Sequence, residues 1–386
     1  MRKTFMKMDK PLLFITIAFF VFGLIMVLSA SSMESYMRYG YSPYYYFIRQ
    51  GAFLGIGSIF FLIIINLPSK VLKKLAPILM ILIILLLGGL IVLGTINKGT
   101  RGWFSLGPIN IQPSEFAKVI VIIFLAGYYD KNKEKLTSTW SLIKPLLLCV
   151  VVVGLVIIQP DLGTALIIII LTALMFYAVP LKGNYRKYIN RTLIVGILVL
   201  GIVFGITKGS FLKSYQLNRF NFKNPCDRYQ EETGYQLCNS FIAFTNGGLT
   251  GQGLGKSTQK YLYLPESYTD FIFPIIVEEL GLIVGIIVIL AYLFVIYRLF
   301  RIAKNSTNLY GALISYGVCV YVLLHVCINL VGVMGIGPLT GVPLPFLSYG
   351  GSYTLSLMVA LAMAQRVAIE NNKDTLRRKK RIRPKG

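Results

Sequence analysis

The sequence predicts an all-α polytopic membrane protein with about ten transmembrane helices. Three observations carry that prediction: the abundance of apolar residues, the length of the apolar runs, and the placement of the basic residues. The chain of 386 residues is 55% hydrophobic and only 14% charged. Its apolar runs are too long for a soluble core, because about 18 or more apolar residues read as a spanning helix. The spans fall at roughly 11–31, 49–67, 76–95, 114–129, 145–159, 162–180, 192–207, 271–297, 309–333 and 351–368. The first has no small-residue cleavage site and is followed by more spans, so it reads as an anchor.

The net charge of +24 is not spread evenly. With both termini cytoplasmic and the spans alternating, 27 of the 39 Lys and Arg fall on inside segments. That asymmetry is the positive-inside rule, and it sets the expected orientation. It puts a large extracytoplasmic loop, about 208–270, between helices 7 and 8. Residues 1–370 read as one membrane domain and 371–386 as a basic cytoplasmic tail. The tail run Arg377–Arg381 reads as a solvated charge run beside anionic lipid heads, not as a nucleic-acid contact.

Cys149, Cys319 and Cys327 lie in apolar spans and read as packing residues. Cys226 and Cys238 both fall in the outer loop, where either a disulfide or two free thiols is open. The single histidine, His325, sits mid-span and reads as a polar group bonded to a neighbouring helix. The long outer loop is rich in aromatics, which favours amphipathic pieces on the outer surface over disorder.

The stretch Leu264–Leu280 is the most informative. It sets Asp270, Glu278 and Glu279 at the mouth and in the first turns of an apolar span. A carboxylate at bilayer depth costs on the order of 3 kcal/mol, so each calls for a partner or a function. In the fourth span, Pro113 suits the first helical position, and Glu115 and Lys118 share a face. Helical rise puts Lys118 and the Glu278/Glu279 pair at similar depth, so they are expected to face each other across a wet, outward-opening cavity. A plain buried ion pair is the other reading of Glu278 and Glu279. Asp270 lies at the mouth, where a general base reaches both substrate and water.

The run Asn246–Ser257 is rich in glycine but lacks the phosphate-loop spacing, because Thr250 stands where a Gly is required. The run Gly335–Ser352 holds too many Pro and Gly for a lipid-facing helix, so it either lines a cavity or is buried as a re-entrant turn. Ser348, Tyr349 and Ser352 would offer it hydroxyls. Asp161 reads as a helix cap.

Together these segments resemble the SEDS family, the FtsW/RodA/SpoVE proteins. The matching stretches are Lys98–Trp103, Gln112-Pro-Ser-Glu-Phe-Ala-Lys118, Gln159–Ala165, Gly234-Tyr-Gln236, Asn246–Gly255, Leu264-Pro-Glu266, Thr269-Asp-Phe-Ile-Phe273, Glu278–Gly281 and Pro338–Ser352. The end Val367–Asn372 and the basic tail lean toward the FtsW side. Departures are Gly102 between Arg101 and Trp103, Tyr268 for a usual His, Pro274 for a small residue, and Asn239 for a Gln.

The resemblance implies a plasma-membrane peptidoglycan glycosyltransferase that polymerises lipid II at the outer face, in cell division or elongation. It implies Asp270 as the catalytic residue. It implies substrate contacts by Lys118, Glu115, Arg101, Gln112, Glu266, Thr269, Ser348, Tyr349 and Ser352, with Glu278 and Glu279 as charge partners. A divalent cation, Mg or Mn, is an expected aid to the leaving diphosphate, with no organic cofactor. The implied partners are a class B penicillin-binding transpeptidase and other divisome or elongasome membrane proteins, with no nucleic acid. The rival readings are a lipid II flippase and a non-catalytic division scaffold.

Overall fold

In the computed structural model, residues 2–97, 100–107, 109–134, 136, 139–180 and 219–382 are described. The chain is mainly helical. After a short turn α1 (Arg2–Phe5), Asp9 caps α2 (Lys10–Tyr39) by accepting from the Leu12 N–H. Next come α3 (Tyr45–Asn66) and α4 (Ser69–Leu93). A three-stranded antiparallel sheet then interrupts the helices: β1 (Thr95–Asn97), β2 (Thr100–Leu106) and β3 (Ile109–Ile111), in that order. Phe104 pairs with Ile111 across β2 and β3. The sequence reading treats this stretch as plain loop. Its β-branched and aromatic residues suit a pleated ribbon.

The helices resume with α5 (Pro113–Lys131), α6 (Thr139–Ile158) and α7 (Leu162–Tyr177). Asp161 caps α7, accepting from the Thr164 N–H at 3.1 Å as expected. The segment from residue 219 onward contains a 3-10 turn, Pro225–Arg228, and α8 (Glu232–Gly247). A Cys226–Cys238 disulfide joins them, which resolves the open choice at those cysteines. Last come α9 (Ile272–Lys304), α10 (Leu309–Val333) and α11 (Gly351–Ile382). The domain boundary drawn at 370 lies within α11.

Seven of the described helices are long and apolar enough to cross a membrane: α2, α3, α4, α6, α9, α10 and α11. Helix α7 is apolar but shorter, and α5 carries Glu115 and Lys118. The expected span at 192–207 lies outside the described residues. Burial separates the helices. The spanning windows of α10 and α11 are 72% and 89% buried, against 28% for α3, α4, α6 and α9. Helices α10 and α11 are therefore central, and the others present Leu, Ile and Phe outward, as lipid-facing helices do.

One helix is broken on purpose. Gly281 interrupts α9 with a φ of 86°, a conformation glycine adopts at no steric cost. The glycine-rich run lies against the break. The Gln252 and Gly253 N–H groups donate to the Glu278 and Glu279 carbonyls at 3.0 and 2.8 Å, and the Leu282 N–H donates to the Gly248 carbonyl at 2.9 Å. A Cβ on Gly251 would come within 2.4 Å of the Glu279 carbonyl oxygen. The run is a strap that restores the backbone bonds the kink removes.

Candidate active site

Two irregular segments meet at the C-terminal end of α10: residues 264–271, and the Pro- and Gly-rich stretch 335–350. The Tyr349 N–H donates to the Tyr268 carbonyl at 2.8 Å. Ser348 Oγ donates to the Thr269 carbonyl at 2.5 Å and accepts from the Leu344 N–H at 2.8 Å. Asn329 of α10 donates through Nδ2 to the carbonyls of Asp270 (2.7 Å) and Val342 (2.8 Å). One carboxamide thus holds the backbone of the expected general base against the re-entrant stretch.

Asp270 is half-buried. It lines a narrow crevice with Asn329, Gly332, Leu339, Thr340 and Gly341. The space is about 10 Å³, room for one water. Thr269 Oγ1 lies 2.9 Å from both Asp270 Oδ1 and Glu266 Oε2, so one hydroxyl sits between the two carboxylates and donates to one of them at a time. Asn329 Oδ1 is buried and accepts nothing from the described residues, which leaves an acceptor at the crevice for a water or a sugar hydroxyl. Arg219 Nη1 approaches the Thr340 carbonyl at 3.5 Å, on the crevice lining.

Tyr268, which replaces the family's usual His, is 5% exposed and packs its ring on Tyr46 at 4.5 Å. Burial, then its bond with Tyr46, pushes the Tyr268 hydroxyl well above the ordinary tyrosine range, so it stays neutral. Burial raises the Tyr349 hydroxyl in the same way.

Behind this crevice lies a second cluster. Lys118 is 0% exposed. It pairs with Glu115 at 2.8 Å and lies 3.0 Å from His325 Nε2. The rings of Tyr321 and Tyr353 flank it, each centroid 5.7 Å from Nζ. His325 Nδ1 lies 3.2 Å from the Pro343 carbonyl, and Asn329 follows one turn later. The polar chain Glu115–Lys118–His325 therefore ends on the same re-entrant stretch that Asn329 ties to Asp270. His325 fits the reading of a polar residue bonded to its neighbours.

The expectation that Lys118 faces Glu278 and Glu279 across a wet cavity is overturned. Glu278 accepts from Ser257 Oγ, from Asn246 Nδ2 at 3.0 Å, from the Thr258 N–H and hydroxyl at 3.2 and 2.8 Å, and from the Gln259 N–H at 3.3 Å. Glu279 pairs with Lys260 at 2.8 Å and accepts from Ser29 at 2.7 Å. The Glu278 carboxylate holds the glycine strap, and Glu279 ties the segment just after it, at Lys260, to Ser29 of α2. Equal depth put Lys118 and these residues side by side on paper, but their helices turn them toward different neighbours.

The remaining expected residues divide. Gln112 donates to Ser352 Oγ through its backbone at 2.9 Å and to Asp161 through its side chain at 3.1 Å. Ser348 and Ser352 thus spend their hydroxyls inside the protein, joining the hairpin and both irregular segments. Arg101 is exposed and donates to the Ile91 carbonyl at 2.9 Å, at the end of α4. Asn329 and Arg219 escape the sequence reading. A carboxamide four residues after His325, in an otherwise apolar run, was the available signal for Asn329. Arg219 has no local signal.

Comparison with known proteins places the chain in a family. The family model of the FtsW/RodA/SpoVE cell cycle proteins matches residues 10–373. The chain is 34% identical to the probable peptidoglycan glycosyltransferase FtsW of Bacillus subtilis, over 100% of this chain and 97% of that one. It is likewise 34% identical to stage V sporulation protein E of the same organism, over 93% and 96%. It superposes on a chain of a peptidoglycan synthase complex that coordinates polymerization and crosslinking, with a TM-score of 0.74, 26% identity and coverage of 94% and 98%. Rod shape determining protein RodA of Thermus thermophilus superposes with a TM-score of 0.65 and 25% identity, over 94% of this chain and 96% of that one. The protein is a multi-pass bacterial membrane protein, and it belongs to the FtsW/RodA/SpoVE family of cell cycle proteins.

Proposed function

We propose that the protein polymerises lipid II into glycan strands at the outer face of the plasma membrane, with Asp270 as general base. The observation that carries this reading is a half-buried carboxylate fixed through its own carbonyl by Asn329 and lining a crevice between irregular segments. Irregular backbone at membrane depth is stable where it lines a cavity, and a fixed base in a confined site is what proton transfer needs. The relatives named as peptidoglycan glycosyltransferases support the same chemistry.

In the reaction, the acceptor sugar's 4-hydroxyl oxygen bonds to the anomeric carbon of the donor. The bond from that carbon to the lipid diphosphate breaks, and the hydroxyl proton passes to Asp270. Direct displacement inverts the anomeric carbon. Arg219, at the crevice lining, is the described guanidinium best placed to meet the leaving diphosphate. Lys118 and Glu115 act from behind, through His325 and the re-entrant stretch.

Among the described residues, no group of three or more His, Cys, Asp or Glu could hold a metal alone. Glu266, on the far side of the Thr269 hydroxyl from Asp270, is the carboxylate that would help hold a magnesium-type ion together with substrate phosphates, leaving Asp270 to take the proton. Bound there, a divalent cation would neutralise charge on the leaving diphosphate.

A class B penicillin-binding transpeptidase is the proposed partner, because the chain matches a component of a peptidoglycan synthase complex. The test is purified protein with that partner and labelled lipid II in detergent, where flipping has no meaning. Polymer from the wild type and none from Asp270→Asn, with the variant folded, is the expected result. Normal strand synthesis by Asp270→Asn would overturn the role of Asp270. Wild type without polymer would favour the flippase or scaffold reading.

A further inference from the structure

The turn between α2 and α3 takes no part in the chemistry above, yet six tyrosines fall between residues 36 and 46. Gly40 ends α2 in the left-handed conformation, φ 65°, and its N–H returns to the carbonyls of Ser35 and Tyr36. The Tyr41 N–H donates to the Ser35 carbonyl at 3.0 Å, and Ser35 Oγ donates to the Ser42 carbonyl at 2.8 Å. The chain therefore doubles back and brings the rings together.

Tyr39 and Tyr41 stack with centroids 6.1 Å apart, and Tyr41 and Tyr45 stack at 4.4 Å. Tyr45 meets Tyr46 edge-on at 5.1 Å. Tyr46 packs on Tyr268 at 4.5 Å and on Tyr349 at 5.0 Å. Tyr268 lies two residues before Asp270. The row runs unbroken from Tyr39 and Tyr41, 44% and 47% exposed, to the buried wall of the candidate active site.

Tyrosines at a membrane surface ordinarily anchor a protein among lipid headgroups. Anchoring needs each ring separately in the interface. It does not account for rings locked against one another in a file whose inner ring, Tyr268, lies two residues before Asp270. Mutual stacking holds each phenol in place, so a ligand that lies on the file freezes little further motion. Each phenol combines an apolar ring with a hydroxyl, as a sugar ring combines C–H groups with hydroxyls. Arg49 Nη1 donates to the Tyr45 hydroxyl at 2.6 Å, and the Arg38 guanidinium sits 5.8 Å from the Tyr39 ring, which adds donors suited to acetamide carbonyls and sugar hydroxyls.

We propose that Tyr39, Tyr41 and Tyr45 form a track for the glycan strand, a β-1,4-linked polymer of N-acetylated sugars, at the Asp270 site. The proposal rests on the polymerase reading. It is tested with the full-length protein in detergent, using chitohexaose, a β-1,4-linked N-acetylglucosamine hexamer, as the binding probe, and lipid II as the polymerisation substrate. The pair Tyr39→Ala and Tyr41→Ala should weaken chitohexaose binding about tenfold, at about threefold per ring, and shorten the polymer. The pair Tyr39→Phe and Tyr41→Phe keeps the stacking but loses the hydroxyls, and should fall between. Should the Ala pair unfold, the Phe pair carries the test.

Wild-type affinity and polymer length in these variants, or a wild type that ignores the hexamer, would overturn the track. A wild type that binds the hexamer but makes no polymer would instead overturn the polymerase reading.

Discussion

Asp270 and Glu278 stand eight residues apart at the start of one helix, and the structure treats them in opposite ways. Glu278 is 0% exposed and takes hydrogen bonds from Asn246 and Ser257 of the glycine strap and from Thr258 and Gln259 just after it. Asp270 is held by its backbone, through Asn329, and lines a crevice. A carboxylate whose lone pairs are taken up by the fold stabilises the fold. A carboxylate positioned from behind and set at an opening is arranged for chemistry. Charge at bilayer depth therefore marks both kinds of residue, and only the direction of their bonds separates them.

The sharpest way to break this comparison is to neutralise each carboxylate and read activity and stability together. Asp270→Asn should lower polymerisation by about 10²–10⁴-fold, with little change in thermal unfolding. Glu278→Ala should do the reverse first. It strands several donors and loosens the strap over the α9 kink, at a cost on the order of 3–5 kcal/mol, seen as a large fall in the thermal midpoint in detergent. Equal stability losses in the two variants would remove the distinction.

Lys118 sharpens the same contrast. It is a cation buried away from solvent, with Glu115 and His325 as its polar neighbours. Lys118→Met leaves Glu115 as an unpaired buried charge and should cost about 3 kcal/mol or more. Adding Glu115→Gln should restore most of that stability, as measured by a double-mutant cycle. If the double variant is no more stable than the single one, Lys118 answers to something other than Glu115, and substrate contact regains its claim.

Much of this could be read from the sequence, for physical reasons. Apolar length alone marks a span, and charge asymmetry marks its expected orientation. Glu115 and Lys118 were pairable because three residues along a helix is a local relation. The same holds for the Asp161 cap. The partners of Glu278 and Glu279 were not readable. They come from a strap some twenty to thirty residues earlier, and from Ser29 in another helix. Their approach depends on where Gly281 breaks α9, and helical rise gives depth without giving direction. The short β ribbon at 95–111 was hidden for a related reason, since two of its three strands are only three residues long and leave little periodicity to detect. Asp270 was found because its sequence setting is local, whereas the residue that holds it, Asn329, lies 59 positions away.

Asn329 gives the smallest predicted effect and the finest discrimination. Its Nδ2 supplies both carbonyls, and losing one buried donor costs about 1–3 kcal/mol. Asn329→Ala should therefore slow polymerisation about tenfold, with a modest fall in thermal midpoint and little change in the apparent affinity for lipid II. Asn329→Asp keeps the shape but replaces the donor with an acceptor. If Asn329 acts by donating, the Asp variant is at least as impaired as the Ala variant, because a second acceptor then faces the Asp270 and Val342 carbonyls. If Asn329 merely fills space, the Asp variant retains wild-type rates. That outcome would detach the base from α10, and with it the path that runs from Lys118 through His325 to the crevice.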